Sequence, residues 1–472
     1  MNFKTIFKSF KNRDMLKRIL IILGIIVIYR FLAHIPIPLA DPVKMKAAIE
    51  GAISSSDLGG FMNLLSGGAL TNFSIILVGL SPFITASIVI QLLTKAVPKL
   101  EELHNDGESG RRKLNQWTRM LTVPLAILQS VAYIFILRQT VLAANSADVG
   151  ATSMSEWVIA ITAMTAGSIL LMWLGELITE QGIGNGISML IFASIVSQLP
   201  AAVITVWNSV VGTGGTLSVF GWFDLPINGY NLAIIAGFLI LVLFILYVLV
   251  KINEAQRIIT INYAKRVHGN SSYGGIKSIL PIKLIAAGVI PVIFAVAFLS
   301  LPSFIGQVIR SADSASAIGN KLVLWFSAPN AGTFTGETWE SFIYPVTYFL
   351  LVVGFTYFYT SIVFNSKEIS ENLQRQGGFI EGVRPGKSTA TYLSKIVNRL
   401  NLFGSVALGL IAMSPFVADL LFYFFTGQPN AQLSINGTGL LIVVTVALES
   451  LRQLNSRALM ITYDDYKNEP ES

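Results

Sequence analysis

The chain has 472 residues, of which 53% are hydrophobic and only 12% charged, and its mean hydropathy is +0.65. No water-soluble domain can hide so much apolar surface, so a polytopic membrane protein is expected. The net charge of +7 fits basic loops facing anionic lipid or acidic partners rather than a nucleic-acid domain, and the lack of cysteine excludes disulfides, thiol catalysis, palmitoylation and thiolate metal sites.

In chain order, a basic segment with Lys4, Lys8, Lys11, Arg13, Lys17 and Arg18 precedes a first apolar stretch, Ile19 to Ile37. That stretch is too long for the core of a cleaved signal, and no small-residue cleavage site follows it. Residues 54–72, centred on DLGGFMNLLSGGALTN, are broken by glycines and too short to span. Such a piece is either a re-entrant or capping segment buried in protein or an interfacial loop. Four further spans are predicted at Phe73 to Val97, Met120 to Leu142, Trp157 to Gly175 and Ile187 to Val206. A Gly/Thr-rich stretch, Val211 to Ser218, and the following Trp222 to Tyr230 read as a linker. The second set comprises Leu232 to Val250, Ile282 to Ile305, Phe342 to Phe364, Leu402 to Phe425 and Ile435 to Leu454. Each is close to the ~20 residues that match a ~30 Å hydrocarbon core. In the last, the apolar centre from Gly439 to Leu448 is short, and flanking glycines with Glu449 point to burial against protein.

The remaining basic residues fall mostly in the loops after spans 2, 6 and 8. The opposite side holds only Lys44, Lys46, Arg310 and Lys321, with Arg30 and Arg138 near span ends. Basic loops stay cytoplasmic, which places both termini inside the cell. Five spans in each half force opposite entry into the membrane, so an inverted repeat is permitted although no residue-level repeat is visible. The expected organisation is an N-terminal half over 1–206, an external linker over 207–231, a C-terminal half over 232–454 and a cytoplasmic tail over 455–472.

Two glycine motifs fail as nucleotide sites. GIGNGIS, Gly182 to Ser188, follows a membrane helix instead of a strand and lacks G-x-G-x-x-G spacing. RPGKST, Arg384 to Thr389, has Glu381 where a Walker loop needs its first glycine, with Gly382 one place late. His34, His104 and His268 stand apart, with no carboxylate cluster, so neither a metal site nor a cofactor is expected, nor an enzyme. Arg30, Glu176, Asp419 and Glu449 sit toward span ends, where snorkelling or interfacial hydrogen bonding accounts for them. Deeper polar groups are neutral: Ser81, Thr85, Ser87, Gln91, Gln129 and Ser414. A coupled transporter places ionisable groups near the midplane, whereas a neutral interior suits a pathway that tolerates varied cargo. An inverted-repeat secondary transporter remains the alternative.

Seven collinear strings resemble the SecY family of protein-conducting channels, in its bacterial branch. They are SGGALTNFSIILVGLSPFITASIVIQLL (66–93), GESGRRKLNQWTR (107–119), GELITEQGIGNGIS (175–188), NYAKR (262–266), LPIKLIAAGVIPVIFA (280–295), ENLQRQGGFIEGVRPGKST (371–389) and GTGLLIVVTVAL (437–448). The resemblance implies an all-α membrane protein of ten transmembrane helices, in two inverted five-helix halves around an hourglass pore with a short re-entrant plug. It places an apolar pore ring on Leu80, Ile84, Ile187, Ile191, Ile293 and Ile442, where an empty aliphatic constriction dewets and blocks ions. Residues 54–72 become the plug, with Phe61, Met62, Leu64 and Leu65 as its larger apolar groups and Ser66, Gly67 and Gly68 as its joint. A lateral gate is implied between the second and seventh helices near Thr85 and Leu301, with Gln129 of the third close by. Arg257, Lys265 and Arg266 in one loop, and Arg375, Arg384 and Lys387 in another, would dock the ribosome or the SecA motor. SecE and SecG are the implied complex subunits, unfolded secretory chains the cargo, and a bacterial cytoplasmic membrane the location. Two positions depart from the family pattern, which often has Asn where Ile285 stands in the expected seventh helix and Pro where Glu381 stands.

Overall fold

A computed structural model describes residues 13–37, 68–69, 72–137, 154–211, 217–219, 223–225, 229–263, 266–268, 271–273, 277–285, 287–288, 290–312, 316–327, 338–426 and 437–468. The helices are α1 (Arg13–Leu32), α2 (Ser81–Ala96), α3 (Pro98–Asn105), α4 (Glu108–Leu137), α5 (Met154–Gln181), α6 (Gly186–Val211) and α7 (Gly229–Glu254). They continue with α8 (Ile290–Ala312), α9 (Ala317–Phe326), α10 (Ile343–Val363), α11 (Ser366–Arg375), α12 (Lys387–Thr426) and α13 (Gly437–Asn468). Every predicted span overlaps a helix. Among the described residues, five helical stretches are long and apolar enough to cross a membrane: Glu108–Phe135, Met154–Gln181, Ile290–Arg310, Trp339–Arg375 and Lys387–Ser414. Helices α2 and α3 together pass the same test but meet at a 107° bend, where Pro98 opens α3 after the extended Val97.

Two helices start well inside their expected spans. Helix α2 begins at Ser81, not Phe73, because Pro82 suits a first helical turn and the preceding residues are held in turns. Helix α8 begins at Ile290, so Ile285 precedes the helix and Ile282 belongs to a strand. An apolar run of this kind has no periodicity that separates strand from helix.

The strands are β1 (Leu217–Val219), β2 (Phe223–Leu225), β3 (Gln256–Tyr263), β4 (Arg266–His268), β5 (Ser271–Tyr273), β6 (Lys277–Lys283) and β7 (Gly378–Ile380). Pairs β1–β2 and β4–β5 are small antiparallel ribbons, and the third sheet has the order β6-β3-β7. Ile259 faces Leu280 and Ile261 faces Ile380 in its antiparallel register. Pro281 lies on the edge strand β6, where a missing N–H is tolerated.

The chain forms two compact units. One comprises Met1–Ala236, Val296–Tyr344 and Asp419–Ser472, and the other Gly237–Ala295 and Pro345–Ala418. In the first, α5 packs on α1, α4 and α6, while α6 also packs on α13. Its core joins Ile22, Ile25 and Tyr29 of α1 to Leu171, Leu174 and Ile178 of α5 and Leu190 of α6, with Ile76 inserted among them. In the second, Ile259, Ile282 and Ile380 of the sheet pack on Leu393, Ile396 and Val397 of α12.

Candidate functional site

The approach to α2 is non-helical backbone held by its neighbours. Ile37 N–H donates to the Phe73 carbonyl at 2.8 Å, and Ile75 N–H donates to that of Ile35 at 3.1 Å, flanking a Pro36–Ser74 bridge. The Ser74 hydroxyl donates to Leu32 O at 2.6 Å, and Ser168 Oγ of α5 donates to Gly79 O at 2.9 Å. Phe73, Ser74, Ile76, Leu77 and Val78 are all buried. A side chain at Gly167 would collide with the Ile75 carbonyl, so the absent Cβ lets α5 approach this backbone. Irregular backbone at membrane depth must be covered by protein in this way, since lipid supplies no hydrogen bonds. Leu80 and Ile84 follow directly, both half-buried, with Leu80 packed on the α1–α5–α6 core.

The turn from α5 to α6 carries Ile187 and Ile191. Gly182 and Gly184 have φ of 70° and 118°, which L side chains rarely adopt. A Cβ on Gly186 would strike the Gly175 carbonyl. Gly186 N–H donates to Thr179 Oγ1 at 2.9 Å, and Asn185 Oδ1 accepts from Ile187 N–H at 3.0 Å, satisfying free donors at the start of α6. The glycines of GIGNGIS thus serve helix packing, which explains why the motif is not a phosphate loop. Arg18 Nη1 donates to the Gln181 carbonyl at 2.8 Å, and Arg119 Nε pairs with Glu176 Oε1 at 2.7 Å. On the far side, Ser450 Oγ of α13 donates to Met189 Sδ at 3.2 Å.

Of the six aliphatics assigned to the pore ring, Leu80, Ile84, Ile187, Ile191 and Ile442 lie in the first unit and Ile293 in the second. Ile191 and Ile442 are each 2% exposed, so their side chains are enclosed by protein and not by lipid. Ile293 is also buried, and its neighbour Phe294 meets Phe355 and Tyr359 edge-on at centroid distances of 6.1 and 6.3 Å.

Thr85 of α2 and Gln129 of α4 are buried on two helices that pack together, and Leu301 of α8 is half-buried. One turn beyond Gln129, the Tyr133 ring contacts Phe304 of α8 at 5.3 Å, so α4 and α8 touch directly. Gln91 and Gln129 each bury an Oε1 that has no hydrogen-bond partner among the described residues. Such an acceptor costs about 1–3 kcal/mol where it stays dry.

Arg257, Arg375, Arg384 and Lys387 are exposed in the second unit. Arg384 precedes a tight turn: Gly386 has φ 93°, Ser370 Oγ donates to Gly386 O at 2.7 Å, and Thr389 Oγ1 donates to Arg384 O at 2.9 Å. In RPGKST, then, hydroxyls hold the loop's carbonyls and the Arg384 backbone is rigidly set. Glu381 is exposed at this turn, and Ile285 is buried beside Gly404 of α12. Of the plug residues, Gly68 is buried with φ 87°, whereas Phe61, Met62, Leu64, Leu65, Ser66 and Gly67 lie outside the described residues, as do Lys265 and the side chain of Arg266.

Sequence reasoning missed the Arg119–Glu176 pair, whose partners stand 57 positions apart, and the β6-β3-β7 sheet that carries Arg257. For the sheet a signal existed, since Ile258–Ile261 is a β-branched run beside the charged Arg257. For the ion pair none did.

Long apolar helices with buried irregular backbone at the head of α2 define a polytopic α-helical membrane protein. The SecY family profile matches residues 74–451. A Streptomyces griseus protein translocase subunit SecY is 40% identical over 463 residues, covering 97% of this chain and 98% of the relative. A solved protein-conducting channel shares the fold at TM-score 0.56 and 19% identity, covering 92% of this chain and 90% of that one. A yeast Ssh1 complex solved on the 80S ribosome matches at TM-score 0.55 and 16% identity, over 80% and 79% of the two chains. The chain belongs to the SecY family.

Proposed function

We propose that this chain is the central channel subunit of a protein translocase, passing unfolded secretory polypeptides across the membrane and releasing apolar segments into lipid. The observation that carries the reading is the similarity to translocase subunits named SecY over 97% of the chain. The relatives and solved structures named above do not support the transporter alternative.

Leu80, Ile84, Ile187, Ile191, Ile293 and Ile442 form the constriction in this reading. Branched aliphatics part around a polypeptide without demanding particular hydrogen bonds, and they exclude water when nothing passes. Residues 54–72 plug the outer mouth, and the seam of Thr85, Gln129 and Leu301 is the lateral gate. Neutral polar side chains there contribute about 0.6–2 kcal/mol each, weak enough for an apolar helix to part them. The two halves, 1–206 and 232–454, are joined by the 207–231 linker, and both termini face the cytoplasm of a bacterial cell membrane. The platform of Arg257, Lys265, Arg266, Arg375, Arg384 and Lys387 receives the ribosome or SecA, while SecE and SecG complete the complex. That a structural neighbour, the yeast Ssh1 complex, was solved bound to a ribosome supports a ribosome as a partner in this reading.

The decisive experiment places a photo-crosslinker at Ile191 and stalls a secretory chain during export. A crosslink to that chain is expected; crosslinks to lipid alone would overturn the pore-ring assignment. Deleting Phe61 to Leu70 should raise ion leakage, and unchanged conductance would remove the plug role.

A further inference from the structure

Helix α9 has ten residues and follows α8 after a short connection. At 1.5 Å per residue it is about 15 Å long, half of a ~30 Å hydrocarbon core, so it cannot span. Its contacts with α8 show which way it runs. A Cβ on Gly319 would lie 3.0 Å from Arg310 N, one on Gly306 would lie 2.7 Å from Leu322 Cβ, and Ser303 Oγ and Ser327 Oγ are 3.1 Å apart. As α9 advances from Gly319 to Ser327, its partners on α8 therefore retreat from Arg310 to Ser303. The two helices are antiparallel, and their facing glycines bring the backbones together.

Within α8 the stretch long and apolar enough to cross a membrane runs from Ile290 to its end at Arg310. Ser303 lies seven residues, or about 10 Å, inside that end. The C-terminal end of α9 thus lies at the same depth as Ser303. Away from α8, Ile318 and Leu324 of α9 are 68% and 54% exposed, and Ile305 of α8 is 53% exposed. Lys321 holds its ammonium 5.9 Å from the centroid of the Trp325 ring, one turn further along α9. Lys321 and Arg310 are two of the few cations that the loop-charge pattern sets opposite the basic loops.

We propose that α9 is a re-entrant half-helix seated in one leaflet against α8, with Ile318 and Leu324 covered by lipid acyl chains. The leaflet is the outer one if the orientation given under the proposed function holds. Because Leu301 lies on α8, a gate that moves this helix would carry α9 with it.

The absence of native cysteine allows a clean test. N320C and L324C are introduced separately into the full chain, labelled with an environment-sensitive fluorophore and reconstituted in phosphatidylethanolamine–phosphatidylglycerol vesicles. The Leu324 label should emit at shorter wavelength, lose quenching by aqueous iodide and gain quenching by doxyl groups on acyl chains relative to the Asn320 label. Equal iodide quenching at both sites would overturn the proposal. G319L, which separates α9 from α8, should restore iodide access to the Leu324 label; persistence of lipid quenching would show that the contact with α8 does not hold the helix in place. Neither readout depends on translocation. Labelling of N320C by a membrane-impermeant maleimide from outside intact cells tests the orientation separately, and failure there would reassign the leaflet and count against the channel topology while leaving the depth result intact.

Discussion

Arg119 donates to Glu176 across 2.7 Å, joining α4 to α5 one residue after Gly175, on whose carbonyl Gly186 of α6 closes. Glu176, expected from the sequence to sit at a span end with snorkelling or interfacial hydrogen bonding, is half of a tie between two helices, next to the turn that presents Ile187 and Ile191.

Neutralising either partner should loosen that tie. Both side chains retain solvent contact, so R119Q or E176Q should cost about 0.2–1 kcal/mol, with salt weakening the wild-type pair. The swapped double variant R119E/E176R should recover part of the loss. A double-mutant cycle on thermal unfolding measures this coupling, and strict additivity of the two single changes would show that the pair contributes nothing.

The glycine corner is less forgiving. Substituting Gly186 with Ala puts a methyl group against the Gly175 carbonyl, which must shift, at about 1–3 kcal/mol. G237A should be far milder, because that position has open space for a Cβ. Comparing the unfolding midpoints of the two variants checks the contrast, and equal midpoints would contradict the close packing of α5 on α6.

Ser74 holds the non-helical lead into α2. Its hydroxyl donates to Leu32 O and its oxygen accepts from Ile76 N–H at 3.3 Å. S74A takes the Ser74 acceptor from the buried Ile76 N–H, while Leu32 O keeps Ile35 N–H at 3.2 Å, so the cost is about 1–3 kcal/mol from the one orphaned donor. If this segment braces the channel wall, ion leakage through vesicles carrying S74A should also rise. Wild-type stability and wild-type leakage together would show that the bond is dispensable.

His104, on α3 at the bend after α2, has its pKa held below the ordinary histidine value by burial, with Arg111 and Lys95 adding to the effect and Glu101 opposing it. The neutral ring is the form the fold prefers. Its contribution is complete above the unfolded pKa of ~6.5 and is lost as pH falls through the lower folded value. Acidifying from neutral pH should therefore raise hydrogen exchange in Pro98–Asn105, and H104Q should reduce that response. An identical pH profile in H104Q would exclude the histidine as its cause.

Arg384 stands exposed on a turn whose backbone is fixed by Ser370 and Thr389. Reversing its charge, R384E, should impair partner-driven export while membrane insertion of the chain itself stays intact. Export at the wild-type rate would count against docking at this turn.

The sequence by itself determined membrane residence, the helix over each apolar stretch and, through seven collinear strings, the family. Those properties depend on composition and local order: roughly twenty apolar residues must satisfy their own backbone hydrogen bonds in lipid, and only a helix does so within one segment. The non-helical lead into α2, the late start of α8 and the sheet of β6, β3 and β7 were decided by tertiary contacts. The lead into α2 and the run before α8 read as parts of spans, yet their hydrogen bonds go to distant partners: Ile37 N–H to Phe73 O, Ser168 Oγ to Gly79 O, Leu284 N–H to Ala255 O. Aliphatic side chains such as Leu80 and Ile191 likewise look the same facing lipid, a core or a pore. Only the arrangement of neighbouring helices separates these cases, as it makes Arg119 and Glu176, 57 positions apart, a single contact.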